Sequence, residues 1–216
     1  GKSIQAIMAL RIRLRSGEVP RCLLLCPKTV LFDWKAKLWE WAPETQVCIV
    51  RGGKDERLAL WNMPSHVYLT TYETLREDIE DLPSRDFDLI ILDEIQKIKN
   101  PGAAVTQATR KVRARIRWGL SGTPLENRVD DVVAIFAYLK PGLLRYDDPP
   151  ARVKNAIKPY FLRRRIADVL PELPEKEHEE VWLELTPNQR KKYDEEESGG
   201  VRRLAPDGRV PGTWVT

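Results

Sequence analysis

Residues 88–94, DLIILDE, place four consecutive apolar residues directly before two carboxylates. A short apolar run without polar alternation is typical of a strand buried on both faces of a parallel sheet. Ligands of such sheets bind at the carboxyl ends of the strands. Asp93 and Glu94 are therefore candidate site residues: Asp93 to hold magnesium, directly or through water, and Glu94 to polarise a water molecule that attacks a phosphate. An ordinary strand end with two solvated carboxylates fits the motif equally well.

Similar runs alternate with helical patterns on both sides of this strand. Together with 88–92, short apolar runs predict strands at 22–26, 46–50, 67–70 and 117–120. Apolar residues at helical spacing predict helices at 3–14, 30–41, 57–61, 72–79, 103–112 and 129–139. This alternation is typical of βαβ units, so we expect an α/β fold with a parallel sheet flanked by helices.

The pattern changes after Pro141 and Gly142, and we predict that a first domain covers residues 1–143. Residues 144–197 are predicted to form a C-terminal extension, with turns at 146–150, a basic helix at 153–165, a strand at 180–185 and a charged helix at 187–197. The stretch 198–216 is rich in Gly, Pro and Arg and has no period. We therefore predict a linker or an interrupted element there.

Two further motifs suggest nucleotide chemistry. Gly1-Lys2-Ser3 opens the first helix, as the end of a phosphate-binding loop does: helix amides and the lysine hold phosphates, and the hydroxyl binds magnesium. Ser121-Gly122-Thr123-Pro124 follows the strand predicted at 117–120, where small hydroxyl residues suit a sensor of nucleotide state. Alone, the first motif is also compatible with an ordinary loop lysine and the second with a polar turn.

Composition excludes several classes of protein. The chain has 216 residues, 42% hydrophobic, with 36 Lys+Arg against 32 Asp+Glu and a net charge of +4. These values exclude collagen-like, low-complexity and wholly disordered chains. The longest apolar run, 132–139, has eight residues, and a membrane-spanning helix needs about 20. We see no secretory signal and expect no membrane partner.

Cysteines and histidines predict no metal site. Cys22, Cys26 and Cys48 lack paired zinc-site spacing, and we predict buried, reduced thiols. His66 and His178 stand alone and are predicted to be structural or surface residues. Three basic clusters are more typical of solvated faces, although they make a polyanionic partner plausible; they are Arg11, Arg13 and Arg15; Arg110, Lys111, Arg113, Arg115 and Arg117; and Arg163, Arg164 and Arg165.

The motifs, taken together and in this order, resemble the first RecA-like lobe of the Swi/Snf family of superfamily-two helicase-type ATPases. The similarity extends to about residue 197 and rests on eight segments: GKSIQAI at 1–7, LLCPKTVL at 24–31 with Trp34, TTYETL at 70–75, LDEIQKIKNP at 92–101, LSGTPLEN at 120–127, FLRR at 161–164, LPELPEK at 170–176 and LTPNQR at 185–190. The resemblance implies a RecA-like P-loop NTPase lobe at 1–143, cut off at its start, that binds ATP and magnesium.

The resemblance also implies roles for individual residues. Lys2, Asp93 and Glu94 would be catalytic; Gly1, Lys2, Ser3 and Gln96 would bind the nucleotide; and Ser3 and Asp93 would hold magnesium. Ser121, Gly122 and Thr123 would couple hydrolysis to the DNA face. Gln96 replaces a residue that is often histidine in relatives, and we expect it to hydrogen-bond across to the segment around Ser121. Glutamine here hints at a bacterial member, and Asp33 replaces the asparagine that often precedes Trp34.

Double-stranded DNA is the partner that the resemblance implies. Lys28, Thr29, Thr70 and Thr71 would contact the DNA backbone, which gives affinity without reading sequence. A surface lysine and strand-forming threonines are simpler explanations of the same residues. We expect Trp34 to pack rather than stack on a base, and we predict that Trp39, Trp41, Trp61 and Trp118 lie in the core.

Other functions remain open at this point. Nothing in the chain resembles the second RecA-like lobe or the adenine-reading glutamine motif, so we expect a piece of a longer protein that is inactive alone and meets its second lobe, and a DNA-bound protein target, elsewhere. Our leading hypothesis is the motor lobe of a double-stranded DNA translocase that remodels protein–DNA complexes. The alternatives are a strand-separating DNA or RNA helicase, a restriction-type motor, or a catalytically inactive nucleic-acid-binding module. We expect a cytoplasmic, nucleoid-associated location in a bacterium and a nuclear one in a eukaryote.

Overall fold

Within residues 1–84, 86–122, 129–163 and 183–204, which the computed structural model describes, five strands form one parallel sheet. They are β1 (Cys22–Cys26), β2 (Val47–Ile49), β3 (Val67–Thr71), β4 (Asp86–Asp93) and β5 (Arg113–Leu120). Their order in the sheet is β2-β3-β1-β4-β5, so that β1 lies between β3 and β4. Each predicted strand before residue 143 is confirmed, and β5 begins four residues earlier than predicted.

Helices follow each of the predicted helical patterns. They are α1 (Lys2–Arg15), α2 (Leu31–Trp41), α3 (Lys54–Asn62), α4 (Tyr72–Asp78), α5 (Ala104–Lys111), α6 (Val129–Leu139), α7 (Pro150–Ile157) and α8 (Pro187–Leu204). Short 3₁₀ helices cover Lys28–Val30, Ile95–Ile98 and Lys158–Tyr160. None of the helices in the described part of the chain is both long and apolar enough to cross a membrane.

The continuous apolar runs are explained by burial of the sheet on both faces. All five residues of β1 are buried: Leu23 and Leu25 pack into one core cluster, and Cys22, Leu24 and Cys26 pack into another. One cluster contains residues of α3, α4 and α6, and the other contains residues of α1 and α2. Because neighbouring residues of a strand point to opposite faces, a strand covered by helices on both sides must be apolar throughout.

The strand β5 differs because it lies at the edge of the sheet. Arg113, Arg115 and Arg117 alternate with Ala114, Ile116 and Trp118, and Arg113 pairs with Asp86 of the neighbouring strand at 2.7 Å. Charged residues on an edge strand are a common protection against edge-to-edge association. Because charged and apolar residues alternate, the prediction from apolar runs missed the first half of the strand, residues 113–116.

The C-terminal predictions need several corrections. The basic helix ends as α7 at Ile157, followed by a 3₁₀ turn that contains Pro159, because proline disfavours a helical residue before it. The charged helix does not stop at 197: α8 continues to Leu204 through Gly199 and Gly200, within the stretch predicted to be a linker. Of the strand predicted at 180–185, residues 183–185 lie in no strand, and 180–182 lie outside the described residues.

The chain divides into two compact units, Gly1–Leu162 and Arg163–Thr216. The proposed boundaries at residues 143 and 197 stay predictions. All three cysteines are buried and free, as predicted. His66 accepts a hydrogen bond from the amide of Gln46 through Nδ1 (3.0 Å), a structural role, whereas His178 lies outside the described residues.

Two tryptophan predictions are wrong. Trp34 and Trp61 are buried as predicted, and Trp118 is half-buried at the sheet edge. Trp39, however, is 76% exposed, and Trp41 is also exposed. The buried face of α2 consists of Leu31, Trp34 and Leu38, and the helical period turns residues 39 and 41 away from it.

Candidate functional site

Lys2, Glu94 and Gly122 meet at the carboxyl edge of the sheet. A Cβ atom added to Gly122 would lie 3.0 Å from Lys2 Nζ and 3.6 Å from Glu94 Oε1. Glu94 follows β4 directly and Gly122 follows β5 by two residues, and these strands pair with Asp93 beside Leu120. The sheet therefore brings the three sequence motifs together, at the edge where α/β sheets bind ligands.

The amino end of α1 carries an uncompensated positive field. Gly1 caps this 14-residue helix without a side-chain hydrogen bond, and the first turn contains no acidic residue. The side chain of Lys2 is exposed and makes no ion pair within the described residues. Unpaired first-turn amides, the helix dipole and a free ammonium group together suit an anion such as a phosphate.

Asp93 is held by three hydrogen bonds at the end of β4. Its side chain is almost buried; Oδ2 accepts a hydrogen bond from Trp34 Nε1 (2.8 Å) and Oδ1 accepts one from the amide of Glu94 (3.1 Å). The hydroxyl of Tyr72 donates to the backbone carbonyl of Asp93 (2.7 Å). Each carboxylate oxygen of Asp93 therefore has a fixed donor and retains capacity to accept further bonds.

Glu94 has a left-handed backbone conformation, with φ of 50° and ψ of 56°. It is the one residue other than glycine with positive φ in the described part of the chain. Such a conformation costs about 1–2 kcal/mol for a residue with a Cβ atom and is found where function or packing requires it. It turns the chain sharply out of β4 into the 3₁₀ helix Ile95–Ile98.

A chain of hydrogen bonds links Glu94 to the loop after β5. Gln96 Nε2 donates to Glu94 Oε2 (2.5 Å), and Ser121 Oγ donates to Gln96 Oε1 (3.0 Å). The expectation that Gln96 would bond across to Ser121 is thereby confirmed. Thr123, the remaining coupling candidate, lies outside the described residues, as do residues 124–127 of the same motif.

Burial keeps Tyr72 and Cys26, which lie near Asp93, in their neutral form. Burial raises the pKa of Tyr72 well above its ordinary value, and the charge of Asp93 adds to the shift. Burial also raises the pKa of Cys26 to about 12, with smaller contributions from Asp93 and Glu73. Tyr72 thus keeps the proton that it donates to Asp93 throughout the physiological range.

The nucleic-acid candidates divide into two groups. Lys28 and Thr29 are exposed in the 3₁₀ helix that follows β1. Thr70 is fully buried, and its hydroxyl donates to the carbonyl of Val50 (2.8 Å). Thr71 is also buried, and its hydroxyl caps α4 by accepting from the amide of Thr74 (3.1 Å). The side chain of Thr70 has no exposed surface to offer DNA here, and that of Thr71 is committed to its helix cap.

Much of the basic surface is neutralised locally. Arg11 and Arg15 both pair with Glu44, at 2.7 and 2.8 Å, and Arg13 pairs with Glu18. The cluster of Arg11, Arg13 and Arg15 is therefore better explained as a solvated face with paired charges than as a free patch for binding a polyanion. The cluster that begins at Arg163 lies mostly outside the described residues.

The residues present fit magnesium held together with phosphate. The described residues contain no group of three or more His, Cys, Asp or Glu side chains that could form a protein-only metal cage. Magnesium in nucleotide sites usually has only one or two protein ligands besides water and phosphate oxygens. A hydroxyl at Ser3 on the helix start and a fixed carboxylate at Asp93 match that requirement.

Sequence reasoning missed Trp34 and Tyr72 as parts of this site. The sequence predicts only packing for Trp34 and includes Tyr72 only as part of the motif at 70–75. Both residues donate hydrogen bonds to Asp93. A usable signal existed, because a buried indole or phenol nearly always needs a polar partner. The sequence did not identify which polar group that partner would be.

Comparisons with known proteins show what the chain is similar to. The SNF2-related domain family matches residues 1–206. The chain is 28% identical over 219 residues to an uncharacterized ATP-dependent helicase of Mycoplasma genitalium, covering 94% of the chain and 21% of that protein. It is 31% identical over 218 residues to a putative ATP-dependent helicase/translocase of Bacillus subtilis, covering 90% of the chain and 24% of that protein.

Mouse and archaeal proteins extend the comparison. The DNA excision repair protein ERCC-6-like 2 of Mus musculus is 32% identical over 201 residues, which is 79% of this chain and 13% of that protein. The chain therefore spans a quarter or less of these curated relatives. The solved SWI2/SNF2 ATPase core of Sulfolobus solfataricus in complex with dsDNA has a TM-score of 0.70 and 29% identity, over 98% of this chain and 48% of that one. The chain belongs to the SNF2-related domain family of helicase-like ATPases and is homologous to the N-terminal, RecA-like lobe of the Swi2/Snf2 ATPase core.

Proposed function

We propose that this chain is the N-terminal motor lobe of a DNA-dependent ATPase that translocates on double-stranded DNA and remodels protein–DNA complexes. The observation that carries the proposal is the meeting of Lys2 Nζ and the Glu94 carboxylate beside Gly122. A phosphate-binding cation and a water-activating carboxylate must share one site if the chain is to hydrolyse ATP.

Each residue at the sheet edge has a defined task in this proposal. Lys2 and the first amides of α1 bind the phosphates of ATP. Ser3 and Asp93 bind magnesium, which when present neutralises charge on the phosphoryl oxygens. Glu94 orients the attacking water and accepts its proton.

Gln96 and Ser121 give the site a route to the rest of the lobe. Gln96 holds one carboxylate oxygen of Glu94 while it accepts a hydrogen bond from Ser121. A shift of the loop after β5 therefore changes the position of Glu94. We assign coupling between hydrolysis and DNA to this chain of bonds, and Thr123 keeps the coupling role that the sequence predicts for it.

DNA binds, in this proposal, through Lys28 and Thr29 at the carboxyl end of β1. Both residues are exposed, and they belong to the same sheet edge as the nucleotide residues. The Sulfolobus relative was solved in complex with double-stranded DNA, which supports a duplex as the partner. A second RecA-like lobe would complete the ATP site.

Lys2→Ala tests the function in the longest natural protein that contains this chain. We expect ATP hydrolysis to be stimulated by duplex DNA, and we expect the variant to lose about 100-fold or more of this activity because the lysine holds the transferred phosphate. Lys154→Ala removes an exposed lysine of α7 and serves as the matched control, with activity unchanged.

The nucleic-acid dependence separates the alternatives. Steady-state hydrolysis is measured with duplex DNA, single-stranded DNA, RNA and no nucleic acid. Preferential stimulation by single strands or RNA, with strand separation, would establish the helicase alternative instead. Absence of ATP turnover under every condition would favour the remaining alternative, a catalytically inactive nucleic-acid-binding module.

A further inference from the structure

The indole of Trp34 makes a buried hydrogen bond to a carboxylate of the proposed magnesium site. Trp34 is 1% exposed and its Nε1 donates to Asp93 Oδ2 at 2.8 Å. Hydrogen bonds to a charged acceptor are about twice as strong as neutral ones. Because the contact is buried, the local dielectric is low and the hydrogen bond is stronger than it would be in water.

This bond is one of two that hold the carboxylate of Asp93 in one orientation. The side-chain torsion of aspartate next to its carboxylate is broad, so the group rotates readily unless its oxygens are held. In this chain Oδ2 is held by Trp34 and Oδ1 by the amide of Glu94. Tyr72 fixes the backbone of the same residue through its carbonyl.

We propose that Trp34 is a positioning residue for Asp93, that it orients the carboxylate for magnesium–nucleotide binding, and that Tyr72 is its second support. This inference rests on the proposed ATPase function. It assigns to Trp34 a task beyond packing, through its N–H group and not through the bulk of its ring.

The positions of the two donors in the fold give them a connection to the DNA side. Trp34 lies in the first turn of α2, which follows the 3₁₀ helix containing Lys28 and Thr29. Tyr72 is the first residue of α4, which follows β3. Both donors therefore sit on helices that start at the sheet edge where the DNA contacts are proposed, and displacement of either helix start is transmitted to Asp93.

The chain contains a matched control for this hydrogen bond. Trp61 is also 1% exposed, and its Nε1 donates to the buried Asp78 Oδ2 at 2.9 Å. Asp78 ends α4, about 9 Å along the helix from Tyr72 at 1.5 Å per residue. Trp61→Phe removes the same chemical group as Trp34→Phe, but away from the ATP site.

The experiment compares Trp34→Phe with Trp61→Phe in the longest natural protein that contains the chain. Binding of a fluorescent ATP analogue is titrated with magnesium, and kcat and KM for ATP are measured with duplex DNA. Thermal unfolding is followed in EDTA. Tyr72→Phe forms a second pair with Tyr68→Phe, because Tyr68 donates to the carbonyl of Met63 (2.7 Å) outside the site.

We expect Trp34→Phe to raise the half-saturating magnesium concentration about tenfold, as the loss of one charge-assisted hydrogen bond implies. Its kcat at limiting magnesium should fall by a similar factor, while KM for ATP changes by less than about threefold. Trp61→Phe should change none of these values, although both variants lower the melting temperature. Tyr72→Phe should change magnesium dependence in the same direction and Tyr68→Phe should not.

Equal magnesium dependence in Trp34→Phe and Trp61→Phe would overturn the inference and leave the proposed function intact. Absence of magnesium-dependent nucleotide binding in the unmodified protein would overturn both. The behaviour of the unmodified protein therefore distinguishes the two failures.

Discussion

At the scale of single residues, Gly122 shows how little space the site allows. A methyl group there would meet the ammonium group of Lys2 at 3.0 Å, which is closer than an ordinary contact, and would meet Glu94 Oε1 at 3.6 Å. The backbone of Gly122 has no positive φ, so glycine is needed here for close approach and not for its torsion angles. The group that must move to make room for this methyl group is the Lys2 ammonium, which lies at the end of a flexible side chain.

Gly122→Ala should therefore damage nucleotide binding and spare the fold. We expect affinity for ATP to fall about tenfold because Lys2 is displaced from the phosphate position. The free energy of unfolding should change by less than about 0.5 kcal/mol, as for a substitution outside the core. Isothermal titration and urea denaturation measure the two effects.

Gly102→Ala is the control for this substitution, since its Cβ would lie at an ordinary 3.5 Å from Asn100 Oδ1. Similar nucleotide affinities in the two variants would show that the Lys2 ammonium does not act at this position.

At the scale of elements, a partly buried ionic cluster joins α3 to α4. Arg57 donates from Nε and Nη2 to the carboxylate of Asp78, with distances from 2.7 to 3.0 Å, and Trp61 donates to the same carboxylate. The hydrogen bond to Asp78 raises the pKa of Arg57. These bonds hold together the helices that precede and follow β3.

Asp78→Asn should destabilise the protein by about 2 kcal/mol, because it removes the charge from a buried carboxylate that accepts several hydrogen bonds. Glu77, 3.2 Å from the Arg57 guanidinium, remains as a second counter-charge. Urea denaturation measures the loss. The matched comparison is Asp81→Asn, which removes the exposed pair with Lys54 at 2.6 Å and should cost much less stability, because solvent screens exposed ion pairs. Equal losses would contradict a special role for the partly buried cluster.

At the scale of the whole molecule, the core contains neutral thiols and phenols that lose their protons only at high pH. Burial raises the pKa of Tyr138 from 10.0 to about 12 and that of Cys26 from 9.0 to about 12. The pKa values of Cys22, Cys48 and Tyr72 are also raised, mainly by burial. The folded chain therefore keeps protons at alkaline pH that the unfolded chain releases.

This difference predicts loss of stability on the alkaline side. The full contribution is present below about pH 9, where the unfolded thiols remain protonated, and it declines as pH rises towards 12. Melting temperatures measured across this range should fall steadily. Tyr138→Phe keeps the ring but removes one titrating group, and it should make the decline less steep between pH 10 and about 12. An unchanged slope would show that Tyr138 does not contribute.

The sequence by itself determined the α/β architecture and the edge of the sheet at which the site lies. Buried apolar runs such as DLIILDE identify strands because burial on both faces leaves no polar period. Local order along the chain also placed Asp93, Glu94 and Ser121 at strand ends. These inferences succeeded because they depend on short-range patterns that any parallel sheet must satisfy.

Only the tertiary structure decided which polar groups became partners. The order β2-β3-β1-β4-β5 places β1 between β3 and β4, and the helices that follow β1 and β3 then supply Trp34 and Tyr72 to Asp93 at the end of β4. The same packing buried Thr70 and exposed Trp39. Residue type and period fix whether a side chain prefers the interior, but hydrogen-bond partners distant in sequence are fixed by strand order and helix placement, which no local pattern contains.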